Sequence, residues 1–217
     1  MNVALIGATG FVGSQVLKEL VSRGHQVTAI ARNPDKIDVT DDLITPVAAN
    51  VLDPLEVTAS VTGTDAVVAT YNPGWTNPNI YKEFLEGAQS IQQGVKDSGV
   101  TRFLLVGGAG SLEVAPGVQL VDTPEFPEEY KAGSEANRDY LNLLRKETEL
   151  EWTYLSPAIE MHPGTSSYKS GTYKTSLETP VFNEQGRSII AVEDLAKAVV
   201  DEIENPQYIQ KRFTVGY

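Results

Sequence analysis

The residues of this chain best suited to chemistry begin at its seventh position. Gly7-Ala8-Thr9-Gly10-Phe11-Val12-Gly13 sets three glycines three residues apart. Glycines at such a bend remove the Cβ atoms that would keep backbone N–H groups away from a pyrophosphate, and a following helix adds the positive end of its dipole. The spacing is a G-x-x-G-x-x-G variant of the G-x-G-x-x-G fingerprint. Gly7, Thr9, Gly10, Phe11, Val12 and Gly13 are therefore candidate dinucleotide contacts; the plain alternative is a strand-to-helix turn that merely favours glycine. The second cue is Arg32-Asn33-Pro34-Asp35-Lys36. An NAD site places Asp or Glu after the second strand to grip the ribose 2′-hydroxyl, whereas Arg there accommodates a 2′-phosphate. Arg32 offers a planar donor fork, Asn33 stands beside it and Lys36 adds charge, so the expected cofactor is NADP(H). A solvated surface arginine is the alternative.

Further candidates follow from position. Ligands of a doubly wound sheet sit outside the carboxyl ends of its strands, which brings Asp53, Thr70 and the run 107–110, with Gly108, to the same edge. Asp53 precedes Pro54 and reads more simply as a helix N-cap followed by an N1 proline, with adenine contact left to its neighbours. The loop Tyr71-Asn72-Pro73-Gly74-Trp75 opens at that edge, and Tyr71 and Trp75 are candidate substrate contacts that would stack on a planar ring. Glu160 and His162, two apart in extended chain, would face the same side and are candidates for an acid, base or gate. A metal centre is not expected: the chain has no cysteine and two histidines, one of them, His25, in the turn after the first helix.

These residues need a frame, and the hydrophobic periods supply one. Val3 to Ile6 reads as a buried strand, residues 11–22 as a helix with Val12, Val16 and Leu20 on one stripe, and Gln26 to Ala31 as the next strand. The alternation continues with a weak strand at Ile44–Ala49, a short helix from Pro54, a strand at Asp65–Thr70, and a helix from Ile80 to Gly99. A strand at Arg102–Val106, a helix over Glu128–Thr148 and a strand at Trp152–Ser156 follow. Beyond Pro157 the composition turns to Gly, Ser, Thr and Tyr, a hairpin is expected around residues 171–183, and a last helix carries Val192 to Ile203. Alternating strands and helices predict an α/β, doubly wound, parallel-sheet Rossmann fold. The expected organisation is one domain over 1–217, with 157–190 forming a small C-terminal substrate lobe over the cofactor site.

With the glycine loop and Arg32-Asn33-Pro34, two further runs carry a resemblance: Val106-Gly107-Gly108-Ala109-Gly110-Ser111 and Val192-Glu193-Asp194-Leu195-Ala196. Over essentially its whole length the chain resembles an atypical short-chain dehydrogenase/reductase. More narrowly, it resembles the NAD(P)H-binding group that includes NmrA-like proteins and biliverdin-IXβ/flavin reductases. One departure matters. The standard Tyr-x-x-x-Lys pair, in which lysine lowers the tyrosine pKa for proton transfer, is missing: no tyrosine has lysine four positions on, and Tyr130 has Ser134 there. The reductase branch implies an NADPH-dependent reductase of a reactive small-molecule acceptor of flavin, quinone or carbonyl type, oriented rather than activated. Ser111 would then touch nicotinamide or substrate and Tyr130 would supply a phenolic proton, against a turn hydroxyl and a partly buried aromatic as plain alternatives. The NmrA-like branch implies an NADP(H)-binding redox sensor without chemistry. A sugar epimerase or dehydratase is disfavoured by the missing pair.

Composition narrows the partners. The 29 acidic and 17 basic residues leave a net charge of −12, a field that repels phosphate backbones and anionic membranes. A small-molecule substrate is expected, and neither nucleic acid nor membrane. Met1 to Ile6 runs into the glycine loop without a charged leader or cleavage site, and no apolar run approaches the ~18–20 residues of a membrane helix, so the expected location is the cytoplasm.

Overall fold

The computed structural model describes residues 1–37 and 40–217. Five strands form in the order the hydrophobic runs predict: β1 (Asn2–Ile6), β2 (Gln26–Ala31), β3 (Ile44–Ala48), β4 (Ala66–Ala69) and β5 (Arg102–Val106). A two-stranded hairpin, β6 (Glu113–Ala115) and β7 (Val118–Gln119), interrupts them before β8 (Glu151–Ser156), β9 (Lys174–Ser176) and β10 (Lys211–Gly216). The helices are α1 (Phe11–Ser22), α2 (Pro54–Val61), α3 (Ile80–Ser98), α4 (Glu128–Leu144) and α5 (Val192–Glu204).

The main sheet has eight strands in the order β3-β2-β1-β4-β5-β8-β10-β9, parallel except for β9. The chain winds outward from β1 through β2 to β3, then returns to the other side of β1 with β4. That reversal opens a crevice beyond Ile6 and Ala69, where an α/β sheet binds its ligands. Parallel strands covered on both faces must be apolar throughout, and β1, β4 and β5 are buried at nearly every position. One core layer lies between the sheet and α1 and α5, around Leu20, Leu195 and Phe213. The other lies beneath α2, α3 and α4, around Phe84, Phe103 and Tyr140. Strand β3 is half exposed and carries Pro46, which an edge strand tolerates because its missing N–H faces no partner.

Three details differ from the sequence expectation. The hairpin expected around 171–183 does not form: β9 pairs antiparallel with β10 rather than with a neighbour in sequence. Strand β10 itself was not expected, because Arg212 and Thr214 break its apolar run; both are nevertheless buried. Helix α4 stops at Leu144, where Lys146 and Glu147 N–H groups turn to the carbonyls of Leu143 and Leu144. Trp152 then pins the turn by donating its indole N–H to Glu147 O at 3.1 Å.

Candidate cofactor and substrate cavity

The glycine loop is built by close approach. Gly7 follows β1 with φ +85°, a left-handed conformation that only glycine adopts at little cost. Its N–H donates to Ile30 O at 3.0 Å, tying the turn to β2, and its carbonyl accepts from Gly10 N at 2.9 Å. A Cβ on Gly13 would lie 2.0 Å from Gly7 O, so the third glycine lets α1 seat against the turn. A Cβ on Gly10 would approach the same oxygen only to 3.3 Å. The first N–H groups of a helix have no intrahelical acceptor, and no side chain caps α1. Thr9, Gly10, Phe11 and Val12 border a cavity of about 850 Å³, while Gly13 stands behind them. This volume lies within the ~300–1,000 Å³ of small-molecule sites.

Along the β2 side, Arg32 lines the cavity together with Ala49 and Val51. Asn33 and Asp53 do not. Asn33 Oδ1 accepts from Asp35 N at 3.2 Å and caps the short turn 34–36; Asp53 Oδ1 accepts from Leu55 N at 2.9 Å and caps α2. Both carboxamide and carboxylate are thus committed to local backbone, the capping alternative for Asp53. Thr70 is in the wall, but its hydroxyl donates to Ile6 O at 3.0 Å and locks β4 to β1. A Cβ on Gly7 would lie 2.7 Å from that hydroxyl oxygen.

The far end is framed by residues 107–110, the start of α4 and the segment after β8. Gly107 admits Tyr154: a Cβ there would lie 1.9 Å from the phenol oxygen. That buried phenol donates to Asn137 at 3.2 Å, and burial pushes its pKa up, so it is a structural post rather than an acid. Gly108 is in the wall as expected, with Asn137 close by. Ser111 is not. The turn 109–111 rotates its side chain inward until the residue is 1% exposed, and its Oγ accepts from Arg212 Nη1 at 3.2 Å. The buried Arg212 also pairs with Glu178. Ser111 lies five residues beyond the end of β5, in the turn 109–111, and its direction depends on Arg212, 101 residues away.

Tyr130 and Trp75 meet at this end, their rings edge-to-face at 5.5 Å, and both line the cavity. Trp75 is seated on α4, since a Cβ on Gly133 would lie 2.7 Å from its ring. Tyr71 presents its ring to the cavity and stacks on Phe84 at 6.0 Å, while its hydroxyl donates to Glu83 O at 3.1 Å. Burial and the Glu83 carboxylate push the Tyr71 phenol up to about 12, which removes it from acid–base work near neutrality. Glu160 and His162 part company. Glu160 pairs with Arg187, which holds its carboxyl below the ordinary value, whereas His162 enters the wall between Met161 and Pro163. Sequence reading passed over Ser134, Asn137, Phe126 and Met161, which also line the cavity. Ser134 carried a signal: it is four residues after Tyr130, on the same helix face. Among the described residues no cluster of His, Asp and Glu could hold a metal.

The NAD(P)H-binding family model matches residues 7–206. The chain belongs to this NAD(P)H-binding family. YwnB of Bacillus subtilis (strain 168), an uncharacterized protein, is 37% identical over 99% of this chain and 98% of its own. Two solved structures superpose closely. A proposed epimerase from Bacteroides thetaiotaomicron is 43% identical with a TM-score of 0.92, covering 100% of this chain and 96% of the other. A proposed NADH-flavin reductase from Streptococcus pneumoniae TIGR4 is 33% identical with a TM-score of 0.85, covering 100% and 99%. Within an atypical short-chain dehydrogenase/reductase frame, the uncapped start of α1 and the glycine cradle suit a pyrophosphate, and Arg32 suits a phosphate on the adenosine side. When bound, the reduced nicotinamide supplies a hydride.

Proposed function

We propose that the chain is an NADP(H)-dependent reductase of a reactive, planar small-molecule acceptor of flavin, quinone or carbonyl type, working without a tyrosine–lysine pair. One observation carries this reading: the cavity runs without a break from Arg32 past the glycine loop to Trp75, Tyr130 and His162. The glycine-lined part suits a dinucleotide, and the aromatic end beyond residues 107–110 provides room and stacking surface for a second molecule. The chain's part in the reaction is to hold that molecule against the nicotinamide position and to exclude water; effective concentration does most of the work when the acceptor is intrinsically reactive. Tyr130, whose hydroxyl faces no protein partner among the described residues, is the proposed source of the proton. Arg32 supports NADP(H) over NAD(H), because among the described residues it is the one cation in the wall.

The epimerase description of the Bacteroides relative suits this site less well, since proton shuttling on a sugar calls for an activated base, and Ser134 stands where the lysine would be. The flavin reductase description of the Streptococcus relative suits it better. Titration of NADPH and NADH by calorimetry, followed by NADPH oxidation against a panel of flavins, quinones and reactive carbonyls, tests the proposal. Tight NADPH binding with turnover of any acceptor supports it; tight binding with no turnover across the panel overturns it in favour of an NADP(H)-binding sensor. Among the described residues no helix is long and apolar enough to cross a membrane. We propose a cytoplasmic location, which cell fractionation tests, since a Burkholderia pseudomallei relative 39% identical to this chain carries an exported-protein description.

A further inference from the structure

The aromatic end of the cavity differs in chemistry from the nucleotide end. Several of its polar groups are spent on the protein itself. Asn137 is held at both ends, its Oδ1 accepting from Tyr154 at 3.2 Å and its Nδ2 donating to Gly133 O at 2.9 Å, and the Tyr154 phenol is spent on Asn137. Others are not spent. Among the described residues, nothing in the protein hydrogen-bonds Ser134 Oγ, Tyr130 Oη or His162 Nε2.

Ser134 is the most informative of the three. Its residue is 6% exposed yet lines the cavity, with its Cβ packed where a Cβ on Gly110 would come within 2.8 Å. Its Oγ is open to the cavity, and among the described residues nothing in the protein bonds it, so it can donate to whatever enters. His162 joins the wall from the segment after β8. Its Nδ1 accepts from Gly164 N at 3.1 Å, which leaves the ring proton on Nε2 and makes that nitrogen a neutral donor. Charge is the third feature. Ser134 removes the lysine that would otherwise stand four residues after Tyr130, and Lys131 is outside the wall. The exposed Glu125, Glu128 and Glu129 flank Phe126 and Tyr130 at the rim.

We propose that this compartment selects an uncharged planar ring bearing carbonyl oxygens, with Ser134 and His162 donating hydrogen bonds to those oxygens, and rejects the same ring when it carries a phosphate. The identification of that ring as the hydride acceptor rests on the reductase reading above; its selection does not. Riboflavin and FMN separate the effects, because they share one ring system and differ by a phosphate. Their binding to the NADP⁺-loaded protein is read from flavin fluorescence, with no turnover involved. Riboflavin is expected to bind about tenfold or more tightly than FMN, with the gap narrowing as salt screens the rim. Ser134→Ala keeps the Cβ against Gly110 and is expected to weaken riboflavin by about tenfold at unchanged melting temperature, and His162→Phe by a similar factor. FMN binding as well as or better than riboflavin overturns the proposal, as does a riboflavin Kd that neither variant moves. A protein that binds riboflavin selectively but never oxidises NADPH would refute the reductase reading and leave the selectivity standing.

Discussion

Replacing Gly13 and Gly10 separately by alanine divides the glycine loop into a packing half and a binding half. At Gly13 the new Cβ would lie 2.0 Å from Gly7 O and 2.8 Å from Thr70 Oγ1. The first of these is backbone, held in a turn whose Gly7 and Ala8 N–H groups bond Ile30 O in β2 and whose Gly10 carbonyl accepts from Ser14 N in α1, so it cannot swing aside. Alanine gains about 1 kcal/mol of helix propensity over glycine, but forcing a methyl into a packed site costs about 1–3 kcal/mol and more where backbone must move. The net expectation is a loss of about 2 kcal/mol, or about 4–8 °C in Tm for a chain of this length. At Gly10 the Cβ meets Gly7 O at 3.3 Å and the backbone sits at φ −75°, ψ 171°, which alanine adopts freely. Stability there should fall by under about 1 kcal/mol, the scale of an N-cap change. The methyl instead enters the anion cradle, and losing charge-assisted contacts of about 1.5–3 kcal/mol weakens NADPH by about 10- to 150-fold. Thermal melts and NADPH calorimetry on both variants read the two effects apart. A Gly13→Ala protein that melts like wild type would refute the packing argument, and a Gly10→Ala protein with wild-type NADPH affinity would refute the cradle.

Arg32→Asp should erase or reverse the preference for NADPH over NADH, by about tenfold or more, read by calorimetry; equal affinities in the wild type would sink the 2′-phosphate assignment. Glu178→Ala strips the carboxylate from the buried Arg212 and should destabilise by about 2–3 kcal/mol, below the ~3–5 kcal/mol of a fully buried pair because Glu178 is half exposed; urea unfolding measures it. Acid should weaken the segment after β8 through Glu160, whose carboxyl Arg187 holds below its ordinary value. A depressed folded pKa means that the contribution is complete above the unfolded value and disappears as pH falls through the folded one. Melting from pH 7 to pH 3 should therefore cost the wild type more than Arg187→Ala, and equal pH slopes would remove the pair from the account.

Local chemistry makes much of the fold legible in the amino-acid sequence. Gly7, Gly10 and Gly13 differ from other residues by an absent Cβ, and the apolar runs of β1, β4 and β5 could only be strands buried on both sides. Those properties belong to single residues or to short windows, so the doubly wound sheet and the ligand edge could be read from them. The direction of a particular side chain could not. Ser111 lies in the turn beyond β5, where the buried Arg212 draws it inward, and Arg212 sits on a strand that its own charge concealed. Asn33 and Asp53 turned to backbone N–H groups two residues on, because the nearest unsatisfied donor wins over a distant ligand. Glu160 and His162 have the spacing to face one side in extended chain, but Arg187 claims the first and the cavity the second. Sequence determined the cradle and the charge at Arg32, whose chemistry is intrinsic to residue type and spacing. Only the tertiary structure decided which hydroxyls and ring nitrogens remain free for a ligand, since that depends on partners arriving from elsewhere in the chain.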